Sequence, residues 1–359
     1  MKSVYIHIPF CKTICSYCDF CKVYYDDKNV ANYLKVLKDE IEDFYNGEAI
    51  ESIYIGGGTP SCLPIPYLKK VFALLNCFNG EALKEVTFEC NLNDINEALL
   101  LFLKGKVNRL SIGIQSFNSE KLKIMGRNHT FKEALEKMSL CRRLGFSNIN
   151  VDFMYGFKEE TIQDMKKDLK RLLKLKPNHI STYSLMIENH TLLKINNYQR
   201  ASDERDASFY KEICKVLKKE KFHHYEVSNF ALKGCASIHN LRYWQNKEYY
   251  GFGVSASGYI DHVRYTNTLS LTKYMKGEFI KEREILTQKD IMDYHLMLGF
   301  RLVEGFSIEA FEKLYQVKLE ERYPIKPLLK NKDLMIKKGK IFINPDKLYV
   351  MNEILIKMI

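Results

Sequence analysis

The 359-residue sequence contains no apolar run approaching the roughly 18 residues that a membrane span needs. Its opening, MKSVYIHIPF, lacks the long apolar stretch and small-residue cleavage site of a secretory leader and reads instead as a β-strand. There is no low-complexity tract, no Gly/Ser linker and no short internal repeat. A cytoplasmic globular protein is therefore expected, with room for one large domain plus a smaller one, or for a single barrel. That setting argues against disulfides, because cytosolic thiols are kept reduced. Tryptophan is all but missing, Trp244 being the only one.

What is present in excess is lysine. The net charge of +11 lies mostly along amphipathic stretches such as KKDLKRLLKLK, where it reads as solvated helix faces that could also attract a ligand bearing carboxylates. Short β-branched and aromatic runs (SVYIHIP, SIYIGGG, EVTFEC, RLSIGIQ, NINVDFMYG, HISTYSL) alternate with segments of helical spacing. In NVANYLKVLKDEIEDFYNG, Val30, Leu34, Leu37, Ile41 and Phe44 recur every three or four residues, and Gly47 can end the helix. Further helices fit 65–78, 94–104, 131–144, 159–174 and 203–221. Six strand–helix units in series predict a parallel sheet, with strands apolar on both faces beneath covering helices. Glycines and polar residues stand at successive strand ends: the cysteine loop, Gly56-Gly57-Gly58-Thr59-Pro60, Glu89, Gln115, and Asp152 leading into Tyr155-Gly156. An open sheet gathers ligand groups at one switch point, a barrel at every strand end, so a barrel is favoured. Beyond about residue 225 the alternation stops, and GCASIHNLRYWQNKEYYGFGVSASGYI reads as a packed loop region. Helices and a hairpin turning at Lys338-Gly339 then resemble a small winged-helix-like module, for which nucleic-acid binding is not expected.

Four of the ten cysteines crowd into HIPFCKTICSYCDFCK. The other six (Cys62, Cys77, Cys90, Cys141, Cys214, Cys235) are scattered and read as buried inert thiols. Zinc typically takes two separated Cys-x-x-Cys pairs; here the pairs overlap and no second pair exists, which favours an iron–sulfur ligand run. The spacing Cys11-x-x-x-Cys15-x-x-Cys18 after a first strand resembles the radical S-adenosylmethionine (SAM) superfamily. That resemblance implies an α/β fold, a partial (β/α)6 TIM-like barrel with a smaller C-terminal helical, winged-helix-like module. It implies a [4Fe–4S] cluster on Cys11, Cys15 and Cys18 with the fourth iron left for SAM, whose cleavage would need a low-potential electron donor. Cys21 falls outside the ligand pattern.

Within the superfamily, YIHIPFC, CSYCDF, IGGGTPS, RLSIGIQSF, GRNH, VDFMYG and HNLRYW resemble the oxygen-independent coproporphyrinogen oxidases (HemN) and their sister family of HemW-type heme chaperones. The resemblance implies that Tyr5 and Tyr17 sit against the cluster and SAM, that Gly57, Gly58, Thr59 and Glu89 bind its methionine and ribose parts, and that Gln115, Arg127 and Asp152 line a neighbouring part of the pocket. Phe20 stands where the oxidases carry a further cysteine, and the first ligand comes at residue 11 without their N-terminal extension. HNLRYW (His239, Asn240, Tyr243, Trp244) matches the chaperones' HNxxYW motif, linked there to heme. On its residues alone, His239 reads as a hydrogen-bonded histidine in a local aromatic core. The expected function is heme binding and transfer to an acceptor protein, possible at a membrane although the chain shows no membrane segment. Coproporphyrinogen III oxidation is the alternative, and a tRNA-modifying radical SAM activity a more distant one. Expected divisions are 1–230 for the barrel, 231–285 for the HNxxYW region and 286–359 for the C-terminal module.

Overall fold

Six strands rich in β-branched residues run parallel in chain order: β1 (Lys2–Ile8), β2 (Ile50–Gly57), β3 (Glu85–Asn91), β4 (Arg109–Gln115), β5 (Ile149–Tyr155) and β6 (His179–Ser184). The computed structural model describes residues 1–359. Connecting the strands are α1 (Asp27–Phe44), α2 (Ile65–Leu74), α3 (Glu97–Leu103), α4 (Ser119–Met125), α5 (Phe131–Arg143) and α6 (Ile162–Lys174), and α7 (Asp203–Lys219) follows β6. Helix starts follow their caps. Thr130 and Thr161 each form a reciprocal capping box, with Glu133 and Asp164. Only α4 escapes the sequence periodicity, being seven residues long between the Asn118 cap and the left-handed Gly126.

The strands are not apolar on both faces as expected. Val4, Ile6, Ile8, Ile53, Ile55, Phe88, Leu110, Ile112, Val151 and Ile180 form the core layer beneath the helices. The alternate positions are polar and stay in register: Ser3 beside Ser52, Ser52 beside Glu85, Thr87 beside Arg109, Glu89 beside Ser111, Ser111 beside Asn150, Asn150 beside His179, and Asp152 beside Ser181. Paired residues of a parallel sheet share a face, so the inner, concave face is a polar lumen. Period-two alternation was the missed signal, masked because inner tyrosines and histidines count as aromatic.

Past about residue 225, the region read as a packed loop contains a helix and short strands. β7 (His223–Glu226) and β8 (Asn229–Ala231) extend the β6 edge, and helix α8 (Ile238–Trp244) follows. Then β9 (Tyr249–Phe252) pairs in parallel with β1, and β10 (Ser257–Ile260), β11 (Val263–Asn267) and β12 (Ile280–Ile285) continue antiparallel. The twelve strands run β12-β11-β10-β9-β1-β2-β3-β4-β5-β6-β8-β7, and the two edges do not pair, so the barrel is partial. The C-terminal module combines α9 (Gln288–Gly299), β13 (Phe306–Ser307), α10 (Ile308–Tyr315) and the hairpin β14 (Leu334–Lys337)–β15 (Lys340–Ile343). Its turn at Lys338 and Gly339 has φ of 51° and 73°, as a tight hairpin turn requires. One apolar core runs from the helices around the sheet into this module.

The strand ends are tied together by buried charge. Lys121 on α4 lies 2.7 Å from Glu160 and 3.1 Å from Asp168 and donates to the Met154 carbonyl. Glu160 accepts the Gly156 and Phe157 amides, and Asp168 accepts the Phe117 amide and the Ser116 hydroxyl. One lysine thus joins the exits of β4 and β5. Lys121→Ala is expected to cost about 3–5 kcal/mol, because two buried carboxylates lose their cation. Urea unfolding checks it, and adding Glu160→Gln and Asp168→Asn should recover much of the loss.

Candidate functional site

Where β1 ends, Phe10–Cys11 bridges in parallel to Val23–Tyr24 and pinches residues 12–22 into a loop over the lumen's mouth. Cys11 is buried, its sulfur 3.4 Å from the Thr59 hydroxyl, and burial pushes its thiol up to about 11. Cys15 accepts a hydrogen bond from Arg127 Nη1 at 3.5 Å. Cys18 closes a turn onto the Cys15 carbonyl (3.3 Å), and the Lys22 ammonium binds the Cys18 carbonyl. Cys21 points elsewhere, its thiol donating to the Leu269 carbonyl. No three His, Cys, Asp or Glu side chains converge tightly enough for a single metal ion. Thiolates of a cuboidal cluster each hold a different iron, so the set fits a cluster better than a lone ion.

Beneath the loop, the glycine run brings backbones into contact. A Cβ on Gly57 (φ +112°) would sit 2.7 Å from the His7 ring, and one on Gly58 would sit 2.8 Å from the Pro9 backbone. The Gly57 amide donates to Glu89 Oε2 (3.1 Å), and the Tyr54 hydroxyl to Oε1 (2.6 Å). Burial, aided by the charge of Asp152, pushes Glu89 up to about 7; burial pushes Asp152 up to about 6 against the opposing Asn150 hydrogen bond. Arg127 reaches from Cys15 to the Gly113 carbonyl (2.5 Å) and Asn91 (3.4 Å), with the Tyr17 hydroxyl beside it. Gln115, at φ +65° where a bulge ends β4, has a buried Oε1 without a partner. Tyr5 donates to His7 Nδ1 (3.0 Å), and His7 Nε2–H donates to the Cys21 carbonyl (2.8 Å).

The cysteine loop, glycine run, Glu89, Gln115, Arg127 and Asp152 therefore meet at one end of the lumen. Amide and carboxylate acceptors, a guanidinium and a close glycine backbone suit a ligand carrying both an amino acid and a nucleoside, which is the character of SAM. Sequence reading missed His7, Tyr54, Asn91 and Arg109, all inward positions of their strands. Arg109 is 2% exposed, with Nε unpartnered and no carboxylate within ion-pair distance.

The HNLRYW residues lie at the opposite end. Glu85 accepts from the Ser237 hydroxyl (3.2 Å) and the Ile238 and His239 amides (2.9 and 3.1 Å), seating α8 inside the curved sheet. His239 is 1% exposed, with Nδ1 bonded to the Ser52 hydroxyl (2.9 Å) and Nε2 to the Tyr243 hydroxyl (2.7 Å). Burial, reinforced by Arg109 and Arg242, pushes it down to about 3, so it is neutral. Trp244 packs elsewhere, with the Arg301 guanidinium 5.3 Å from its ring centroid. The structure therefore does not bring His239, Tyr243 and Trp244 onto one open surface, and iron ligation by His239 would require α8 to leave its seat.

Comparison with known proteins agrees with this geometry. Residues 5–172 match the radical SAM superfamily and residues 286–346 the HemN C-terminal domain. The fold superposes on the coproporphyrinogen III oxidase HemN of Escherichia coli with a TM-score of 0.86 at 21% identity, covering 99% of this chain and 89% of that one. The heme chaperone HemW of Lactococcus lactis is 37% identical over 90% of this chain and 87% of its own length, and that of Bacillus subtilis 34% identical over 90% and 89%. No helix is long and apolar enough to cross a membrane. On this evidence the chain belongs to the HemW family of the radical SAM superfamily.

Proposed function

We propose that the protein binds heme and passes it to an acceptor protein, and carries a SAM-ligated [4Fe–4S] cluster at the lumen's mouth. The observation that carries this reading is the 37% identity, over nearly the full length of both chains, to a relative named a heme chaperone. Cys11, Cys15 and Cys18 would hold three irons; the cluster, once reduced, supplies a single electron to SAM. The protein's own groups prepare the site. Arg127 and Lys22 bring positive charge to the sulfur ligands' side of the loop. Gly57, Gly58 and Thr59 form a close backbone cradle, and Glu89 and Asp152 offer acceptors for hydroxyls or an ammonium. Gln115 and Arg127 offer polar contacts beside them, and Tyr5 and Tyr17 wall the chamber. His239, Tyr243 and Trp244 stay the motif-based heme candidates, and in the arrangement seen here His239 and Tyr243 serve as the floor.

Hemin titration of the purified protein is expected to give a saturable Soret shift, followed by transfer to apomyoglobin as a generic acceptor. No Soret shift sinks the proposal. Conversion of coproporphyrinogen III to protoporphyrinogen by anaerobically reconstituted protein would move it to the oxidase alternative.

Single Cys11, Cys15 or Cys18→Ser variants should lose the cluster's visible absorption after reconstitution, whereas Cys21→Ser keeps it; loss in Cys21→Ser would refute the three-plus-one assignment. SAM carries a cation, so its affinity should follow ionisation of Glu89 and Asp152. Both carboxyls are raised in the folded chain, so binding strengthens as pH climbs through about 6 to 7 and fades below. Glu89→Gln should bind about tenfold more weakly at pH 8 and lose most of the pH dependence, as read by calorimetry. A flat wild-type profile between about pH 5.5 and 8.5 would contradict the assigned role.

A further inference from the structure

Between the C-terminal half of α1 and strands β9 to β12 lies a cavity of about 230 Å³. It is on the side of the sheet away from the lumen. Tyr250 and Phe252, which wall it, pair with Val4 and Ile6 of the core layer beneath the helices, and paired residues share a face. Phe44 at the end of α1 and Tyr265 on β11 add to an aromatic lining.

Two buried polar side chains reach that lining. Glu40 on α1 is 2% exposed, and Asn267, which ends β11, is fully buried. Glu40 accepts from the Gly253 amide (2.8 Å), the Tyr274 hydroxyl (2.5 Å) and Asn267 Nδ2 (2.5 Å), yet no cation lies within ion-pair distance of it. Burial accordingly pushes it up to about 7. Asn267 Nδ2 also donates to the Gly253 carbonyl (2.9 Å). Both of these partners are acceptors, so the amide is oriented with its nitrogen towards them, and its Oδ1 is left without a donor. A buried acceptor in that state is costly, and the cavity is several times the roughly 30 Å³ share of one water. The rim adds two exposed carboxylates, Asp43 and Asp261, against one basic side chain, Arg283. Asp261 lies 4.0 Å from Lys2, whereas Asp43 makes no ion pair.

We propose that this cavity binds a small aliphatic diamine. One ammonium donates to Asn267 Oδ1 beside the Glu40 carboxylate, the methylene stem lies among the aromatic walls, and the second ammonium meets Asp43 at the rim. A neutral ligand would leave Glu40 without a cation, and an anion would face three carboxylates, so the lining favours positive charge. The site shares no residue with the cysteine loop, the SAM residues or the HNLRYW helix, and it is independent of the heme-chaperone reading.

Calorimetric titration of the full chain with putrescine at constant ionic strength tests this. Putrescine should bind saturably at one site, n-butylamine more weakly, and n-butanol not at all. Asp43→Asn should weaken putrescine up to about fivefold and leave n-butylamine unchanged. Asn267→Leu should weaken both amines by about tenfold. Because that change also breaks the bonds to Glu40 and Gly253, Ile280→Trp serves as a second variant, at a partly exposed position of the lining. It should block both amines while the circular dichroism stays that of the wild type. Absence of putrescine binding to the wild type, equal binding of n-butanol, or undiminished putrescine binding in Ile280→Trp would each overturn the site.

Discussion

The carboxylate of Glu85 determines how the polar inner face of the sheet is closed. It sits on the first layer of β3, flanked by Ser52 on β2, and gathers three donors from the start of α8. A short helix has little stability of its own, so these charge-assisted bonds and its packing against β2 hold it within the concavity. Once seated, α8 satisfies the lower lumen. His239 bonds Ser52, and Ser52 bonds Ser3, while across the sheet Asn150 bonds Ser111, and His179 bonds Asn150 and Tyr225. A polar face can be buried under a sheet only if it is satisfied in this way.

The upper layers contrast with the floor. There Gln115 keeps an unpaired oxygen, Tyr5, Tyr54, Glu89 and Asp152 keep partly open surface, and both carboxyls lie far above their ordinary range. Arg109, between the two regions, acts downward on all four neighbours, against burial at Glu89 and Asp152, where it favours the ionised form, and with burial at His179 and His239, where it favours the neutral form. Burial keeps the floor histidines neutral and holds the mouth carboxyls up, and Arg109 reinforces the first effect while opposing the second. Perturbed acids above a satisfied floor are the signature of a chamber built for a ligand.

Much of this was legible in the sequence. Strand–helix alternation named all six parallel strands, and the residues at their C-terminal ends proved to share one chamber. The family resemblance set Cys21 apart from the other three thiols, and the Lys338-Gly339 turn was read correctly because a positive-φ pair leaves a local mark. What failed had no local mark. Inner-face tyrosines and histidines look apolar in a composition window, so the polar lumen was invisible until register lined them up. Strands β9 and β10 are short and rich in Gly and Tyr, and they are strands because β1 offers an edge to β9. The surroundings of His239 depend on Ser52 and Glu85, more than 150 residues distant in the chain, and no periodicity reaches that far.

The cysteine loop is less independent than its position suggests. Ser16, between two of the thiols, donates its amide to the Met125 carbonyl (3.2 Å) and its hydroxyl to Ile124, and accepts from Leu193. Tyr17 packs with Leu185, Leu193, Met154 and Phe157. The loop is thus bonded to the end of α4 on one side and to the exposed loop Leu185–Gln199 on the other. Metal binding to thiolates contributes its free energy to the order of the segment that carries them. Here that segment shares a hydrogen bond and an apolar contact with its neighbour, so part of that order extends to Leu185–Gln199. Thermodynamic coupling is reciprocal: a ligand that fixes Leu185–Gln199 stabilises the cysteine loop by the same amount. The strand ends beneath are held rigid by Lys121, so neither loop can relax by moving the scaffold. Coupling between the two is therefore carried by the Leu193–Ser16 hydrogen bond and the apolar contact through Tyr17, rather than by a rearrangement of the sheet.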